Sequence, residues 1–246
     1  MPETTTAQPR ILVEHVTKRF SKRTTRSFKD VLVSAVRRTP VRSQQFRALT
    51  DINFSIAEGE SVAVMGLNGS GKSTTLKLVS GVLEPDEGRV FTRGRVAGLI
   101  EVGAGFHPEL TGRENVFLNA AILGMSEKET KDRFDEIVEF SGIGDFIDQA
   151  VKHYSSGMFM RLAFSVAIHV ELDVLLVDEV LAVGDAPFRA KCAAKLKELS
   201  EKGVTMMVVS HSESQVRALC SRGIVIRKGT IVFDGPIEDA LKELES

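Results

Sequence analysis

The spacing of apolar and polar positions changes several times along the chain, and each change predicts an element. Ile11-Leu-Val-Glu-His-Val16 is dense in β-branched residues and reads as a strand. Ala48 to Ile56 carries Leu49, Ile52, Phe54 and Ile56 in the near-alternating pattern of a second strand. Ser61-Val-Ala-Val-Met65, Val174-Leu-Leu-Val177 and Val204-Thr-Met-Met-Val-Val209 are short apolar runs, as expected of strands buried on both faces. Thr74 to Leu83 reads as a helix, and residues 81–94 as turns. Thr111-Gly-Arg-Glu114 and Ser126-Glu-Lys-Glu129 are capping-box patterns, each opening a helix, the second ending near Gly142. Ile224-Val-Ile226 and Thr230-Ile-Val-Phe233 predict a hairpin, and 236–245 a closing helix. Strands alternating with helices give an α/β fold with a helical block in its middle.

Composition narrows the class. The chain has 246 residues, 43% hydrophobic and 26% charged, which is ordinary for a globular protein and excludes a disordered or disulfide-built chain. Cys192 and Cys220 lie in no metal or redox spacing and read as reduced thiols of a cytosolic protein. No run is long and apolar enough to span a membrane, and the first residues lack the pattern of a secretion signal. The formal net charge of −1 hides an asymmetry. Residues 1–50 hold eleven Lys or Arg against three acidic residues, +8, and the remainder carries −9. The excess lies in a basic insertion, 21–47. There Phe28, Leu32 and Val36 recur four residues apart, flanked by Lys22, Arg23, Arg26, Arg37 and Arg38. Such a stripe suits a helix against an anionic membrane surface or a membrane protein, or one that covers its own subunit.

The candidate chemistry begins at Gly66-Leu-Asn68-Gly69-Ser70-Gly71-Lys72-Ser73-Thr74. It matches GxxxxGK[ST] between an apolar strand and a helical run, the context in which glycines let backbone N–H groups cradle phosphates. Lys72 then reaches the β- and γ-phosphates, and the Ser73 hydroxyl is placed to ligate Mg²⁺. A phosphate loop of this kind needs a carboxylate at the end of a buried strand. Asp178 ends Val174–Val177 and is the candidate for organising Mg²⁺, while Glu179 is the candidate base for the attacking water.

Between these lies Tyr154-Ser155-Ser156-Gly157-Met158, which resembles the LSGGQ signature segment of ABC-type ATPases, with Ser155 and Gly157 kept and Tyr154 standing for Leu. Ala182-Val-Gly-Asp185 is similar to the D-loop of that family, and Val209-Ser210-His211 to its switch histidine. The resemblance covers about residues 11–240. It implies a single ABC ATPase domain over 1–246: a RecA-like P-loop NTPase core, an antiparallel β subdomain and a helical subdomain at about 105–172. It implies ATP and Mg²⁺ as cofactors and a head-to-tail homodimer. In that dimer Ser155, Ser156 and Gly157 of one subunit meet the nucleotide held by the other, and His211 holds the γ-phosphate and water. Glu101 stands near the position of the family's Mg²⁺-contacting Gln and takes that role by resemblance. Phe20 stands where the family's base-stacking aromatic follows the first strand, with plain core packing as the alternative.

Three stretches are similar to the ATPases of bacterial polysaccharide exporters: Gly103-Ala-Gly-Phe-His-Pro-Glu-Leu-Thr-Gly112-Arg-Glu-Asn115, Tyr154–Met158 and Asp178–Asp185. That resemblance implies ATP-driven export of a lipid-linked glycan of the O-antigen, teichoic acid or galactan type. It places the chain peripherally on the cytoplasmic face of the inner membrane, with two copies of an integral-membrane permease and no nucleic acid. Some O-antigen members carry a C-terminal carbohydrate-binding domain. The sequence ends at Ser246 without one, an expectation that leans toward teichoic acid or galactan. An importer ATPase shares the nucleotide chemistry, and a soluble ABC ATPase on nucleic acid would use the basic insertion on phosphates.

Overall fold

The computed structural model describes residues 8–21, 45–99, 103–178, 184–210 and 212–246. The helix expected from Phe28, Leu32 and Val36 lies outside the described residues, as do Glu101, Glu179, Ala182 and His211.

Two sheets form the frame. β1 (Ile11–Ser21), β2 (Gln45–Ile56) and β4 (Glu87–Thr92) make a three-stranded antiparallel sheet in the order β2-β1-β4. β3 (Ser61–Met65), β5 (Val96–Gly98), β6 (Val174–Val177), β7 (Thr205–Val208), β8 (Arg222–Arg227) and β9 (Thr230–Pro236) make a six-stranded sheet, β5-β6-β7-β3-β8-β9. It is parallel except for the β8–β9 hairpin. β1 and β2 run further than their apolar patterns predict, so Ser21 and Gln45–Arg47 are strand residues. β4 and β5 were not predicted. β4 is exposed along nearly all its length, and β5 is only three residues long, so neither has a readable period.

The continuous apolar runs are explained by burial on both sheet faces. Ala63, Met65, Leu175, Val177, Met206 and Val208 face one core. That core is covered by α5 (Ala186–Glu201) and α7 (Ile237–Glu245). Val62, Val64, Leu176, Met207, Ile224 and Ile226 face the other. It is closed by α1 (Lys72–Val79) and by Ile11, Val13, Leu49, Ile52 and Ile56 of the antiparallel sheet. α6 (Glu213–Leu219) precedes the final hairpin.

The helical block has a core of its own. α2 (Gly112–Ile122), α3 (Glu127–Ser141) and α4 (Ser156–His169) bury Val116, Ala120, Phe134, Ile137, Leu162 and Val166 together. Both capping boxes form. The Thr111 and Ser126 hydroxyls accept from Glu114 N–H and Glu129 N–H, and each glutamate returns a bond to the capping residue's own N–H. Gly142 closes α3 in the left-handed conformation, φ 66°. One-turn 3-10 segments, Gly144–Phe146 and Val151–His153, lead into α4.

Candidate functional site

β3 runs straight into a loop and then into α1, and its glycines are fixed by crowding. At Gly66, φ 151°, a Cβ would stand 2.2 Å from the Ile226 carbonyl oxygen. At Gly71, φ 117°, it would stand 2.5 Å from Leu49 Cδ2. Another residue at Gly66 would displace the β8 backbone, and at Gly71 it would be strained by the positive φ and press on the Leu49 side chain. Gly71 is also the N-cap of α1, and no side chain caps that helix. A helix start without a side-chain cap, at the positive end of the helix dipole, suits an anion. The Lys72 ammonium is buried and donates to the carbonyls of Gly66 at 2.8 Å and Leu67 at 3.2 Å. Ser70 Oγ is buried without a hydrogen-bond partner, packed under Gly66. A glycine-built cradle, an uncapped helix start and an enclosed lysine are the donor set a polyphosphate requires.

A cleft of about 760 Å³ opens over this loop, lined by Phe20, Phe46, Ala48, Asn68, Gly69, Gly71, Lys72, Ser73, Thr74 and Asp178. Gly66 and Ser70 belong to the same loop and lie behind that lining. Asp178, one residue past β6, reaches the cleft where Lys72 and Ser73 stand. A hydroxyl and a carboxylate beside a lysine fit a phosphate-bound divalent cation of the Mg²⁺ type, which takes few protein ligands.

The apolar end of the cleft holds a residue that sequence reasoning missed. Phe20 lies within β1, and its cross-strand partner on β2 is Phe46. Both rings are exposed, 40% and 49%, at the mouth of the cleft. This exposure separates Phe20 from the buried core. The one signal for Phe46 was an apolar residue two positions before Ala48; Gln45, Phe46 and Arg47 are all exposed, so the buried alternation of β2 does not reach it.

Ser155, Ser156 and Gly157 are not part of the cleft. They form the start of α4, where Ser155 is the N-cap and its hydroxyl accepts from Met158 N–H at 3.2 Å. A second segment of that family pattern ends at Asp185, the N-cap of α5, whose carboxylate accepts from Phe188 N–H at 3.1 Å. Two further helix starts thus carry the residues singled out in the sequence.

A family profile described as ABC transporter matches residues 49–182. The chain is 53% identical over 190 residues to the ABC transporter protein AbcA of Aeromonas salmonicida, covering 77% of this chain and 62% of that protein. It is 52% identical over 186 residues to the O-antigen export system ATP-binding protein RfbB of Klebsiella pneumoniae, covering 76% of each. To the teichoic acids export ATP-binding protein TagH of Lactococcus lactis it is 39% identical over 240 residues, 98% of this chain and 51% of that protein. The chain thus spans less than two thirds of the length of AbcA and about half that of TagH. Among solved structures, an ATP binding subunit of an ABC transporter superposes with a TM-score of 0.75 at 22% identity, covering 96% of this chain and 93% of that one. The ATP-binding cassette MJ0796, in a dimeric post-hydrolysis state bound to ADP and Pi, gives 0.72 at 24%, covering 92% and 98%. The fold is the one these cassettes share, and the chain belongs to the ABC transporter family.

Proposed function

We propose that this chain is the ATP-hydrolysing subunit of an exporter that moves a lipid-linked polysaccharide of the O-antigen, teichoic acid or galactan class across the bacterial inner membrane. The observation that carries the chemistry is the single cleft shared by the loop at 66–74, Asp178 and the Phe20–Phe46 ring pair. Relatives named for O-antigen and teichoic acid export support the transported class. The backbone N–H groups of the loop and α1 hold the β- and γ-phosphates, and Lys72 moves from its carbonyl partners onto them. Ser73 and Asp178 would hold Mg²⁺, which when bound would neutralise charge on the phosphate oxygens. Glu179 takes the proton of the attacking water, and Phe20 and Phe46 stack on the base.

Ser155 and Gly157 lie outside the cleft, at an anion-binding helix start, and serve the nucleotide of a second copy of the chain. The working unit is a head-to-tail homodimer on the cytoplasmic face of the membrane, seated on two copies of an integral-membrane permease. Glu179→Gln tests the chemistry. Nucleotide binding is retained, and turnover falls by roughly 10²-fold or more, the span of a lost general base. Normal turnover in that variant removes Glu179 from the mechanism.

A further inference from the structure

The stretch Gly103–Gly112, together with the residues on which it packs, takes no part in the proposed reaction, yet it is tied to the segment that opens α4. Residues 108–113 run beside residues 147–152. Val151 N–H donates to the Leu110 carbonyl at 2.9 Å and Lys152 N–H to the Pro108 carbonyl at 2.9 Å. Gly112 N–H donates to Gln149 O at 3.1 Å and Arg113 N–H to Ile147 O at 2.8 Å. Lys152–Glu109 at 2.6 Å and Arg113–Asp148 at 2.7 Å flank the seam. Upstream, Asn119 Nδ2 donates to the Ala104 carbonyl at 3.1 Å, and a Cβ on Gly103 would stand 2.5 Å from the ring of Phe159 on α4.

Tyr154 is the last fixed point before Ser155. Its hydroxyl donates to the Phe146 carbonyl at 2.8 Å. A Cβ on Gly112 would stand 2.1 Å from that hydroxyl oxygen, so the phenol rests directly on the backbone at the start of α2. Burial, and next the Asp148 carboxylate, push the phenol above its usual range, and the Gly112 backbone opposes this only in part. The hydroxyl is therefore a proton donor at any physiological pH. A leucine, the residue of the family pattern, could fill this space but could not make the bond.

We propose that Tyr154 is a positioning residue: through Phe146 and Gly112 it locks the start of α4 to α2, so that Ser155 and Gly157 are presented to the opposing nucleotide as part of one body. The inference rests on the head-to-tail reading given above. One hydrogen bond adds little to the stability of a chain this long. It matters where small misplacements of a contacting group are costly, as at a phosphate held between two subunits.

The test uses the full chain carrying Glu179→Gln, with and without Tyr154→Phe, which removes only the hydroxyl. Three quantities are read: affinity of the monomer for ATP without Mg²⁺, the thermal midpoint without nucleotide, and ATP-Mg²⁺-driven dimerisation by light scattering. The expected result is dimerisation weakened roughly 3- to 10-fold, the reach of one net hydrogen bond, with monomer affinity unmoved and the midpoint lowered by no more than about 5 °C. Unchanged dimerisation overturns the proposal. A fall in monomer affinity equal to the loss of dimer, or a larger fall in midpoint, also overturns it, because the hydroxyl would then be holding the fold. A Glu179→Gln parent that stays monomeric in ATP-Mg²⁺ overturns the head-to-tail reading itself, and the proposal with it.

Discussion

Asn115 is fully buried on α2 and accepts from His107 N–H at 2.6 Å. Its amide donates to the carbonyls of His107, Leu110 and Thr111 at 3.0, 3.1 and 2.9 Å. Leu110 O also receives Val151 N–H, Thr111 O receives the Asn115 backbone and His107 O receives Leu110 N–H, so Asn115→Ala orphans chiefly the His107 N–H. Losing that one partner costs about 1–3 kcal/mol, which we expect as a lowered urea midpoint with unchanged slope. A loss below about 1 kcal/mol would mean that the loop re-pairs with water. Phe46 is another residue that the structure, and not the sequence, brings to the cleft. Its sequence neighbours are basic and polar, and only the β1–β2 register sets it opposite Phe20 across the insertion. Stacking is worth about 1–3 kcal/mol per base, so Phe46→Ala should weaken ATP binding at least fivefold and leave inorganic triphosphate binding unchanged. Equal loss for both ligands, by calorimetry, would place Phe46 in the fold and not in base recognition. By contrast the phosphate loop was legible residue by residue, because backbone geometry there demands glycine at fixed spacing.

At the scale of elements, the helical block was the most legible part, since its starts are written as capping boxes that the structure forms. The same boxes make it acid-sensitive. The backbone N–H of Thr111 holds Glu114 below the usual carboxylate range, and that of Ser126 holds Glu129 below it. Lys152, Arg113 and Lys131 do the same for Glu109, Asp148 and Glu127. A carboxylate whose folded pKa is depressed binds its proton preferentially in the unfolded state. Its stabilisation is complete above the unfolded pKa and is lost as pH falls through the folded one. The block should therefore loosen as pH drops below about 4.5, the range of free Asp and Glu. The chain has no Trp and one Tyr, and Tyr154 sits in this block, so its emission reports the change. Glu114→Gln with Glu129→Gln should flatten that pH profile, and an unchanged profile would shift the acid sensitivity to other carboxylates. The edge strands were not legible for the opposite reason. β4 is held by its pairing with β1 and by a few side chains, with almost no buried face to give it a period.

For the whole molecule, ion pairs join the units away from the cleft. Arg10 of β1 bonds Glu58 at 2.8 Å and Asp173 at 3.2 Å, and the Asp173 carboxylate also receives Arg95 N–H at 2.7 Å. Arg133 of α3 reaches Glu171 at 2.7 Å. The antiparallel sheet, the central sheet and the helical block are thus tied by residues that do not line the cleft. Such an assembly has no complete phosphate site in one copy if the start of α4 serves a neighbour. That division makes stability depend on protein concentration in a particular way. A ligand bound only by the folded chain stabilises it by mass action, about 2.7 kcal/mol at a hundred times its Kd. For a chain of this length that raises Tm by roughly 5–10 °C at any protein concentration. If ATP-Mg²⁺ also recruits a second copy, Tm must rise further as protein concentration rises. In the Glu179→Gln chain we expect that concentration dependence with ATP-Mg²⁺ and none with ADP. Lys72→Ala, which removes the enclosed ammonium, should abolish both the nucleotide shift and the concentration dependence. A Tm that rises with ATP-Mg²⁺ but stays flat across a hundredfold range of protein would show each copy closing its phosphate site alone, and Ser155 and Gly157 would need another role.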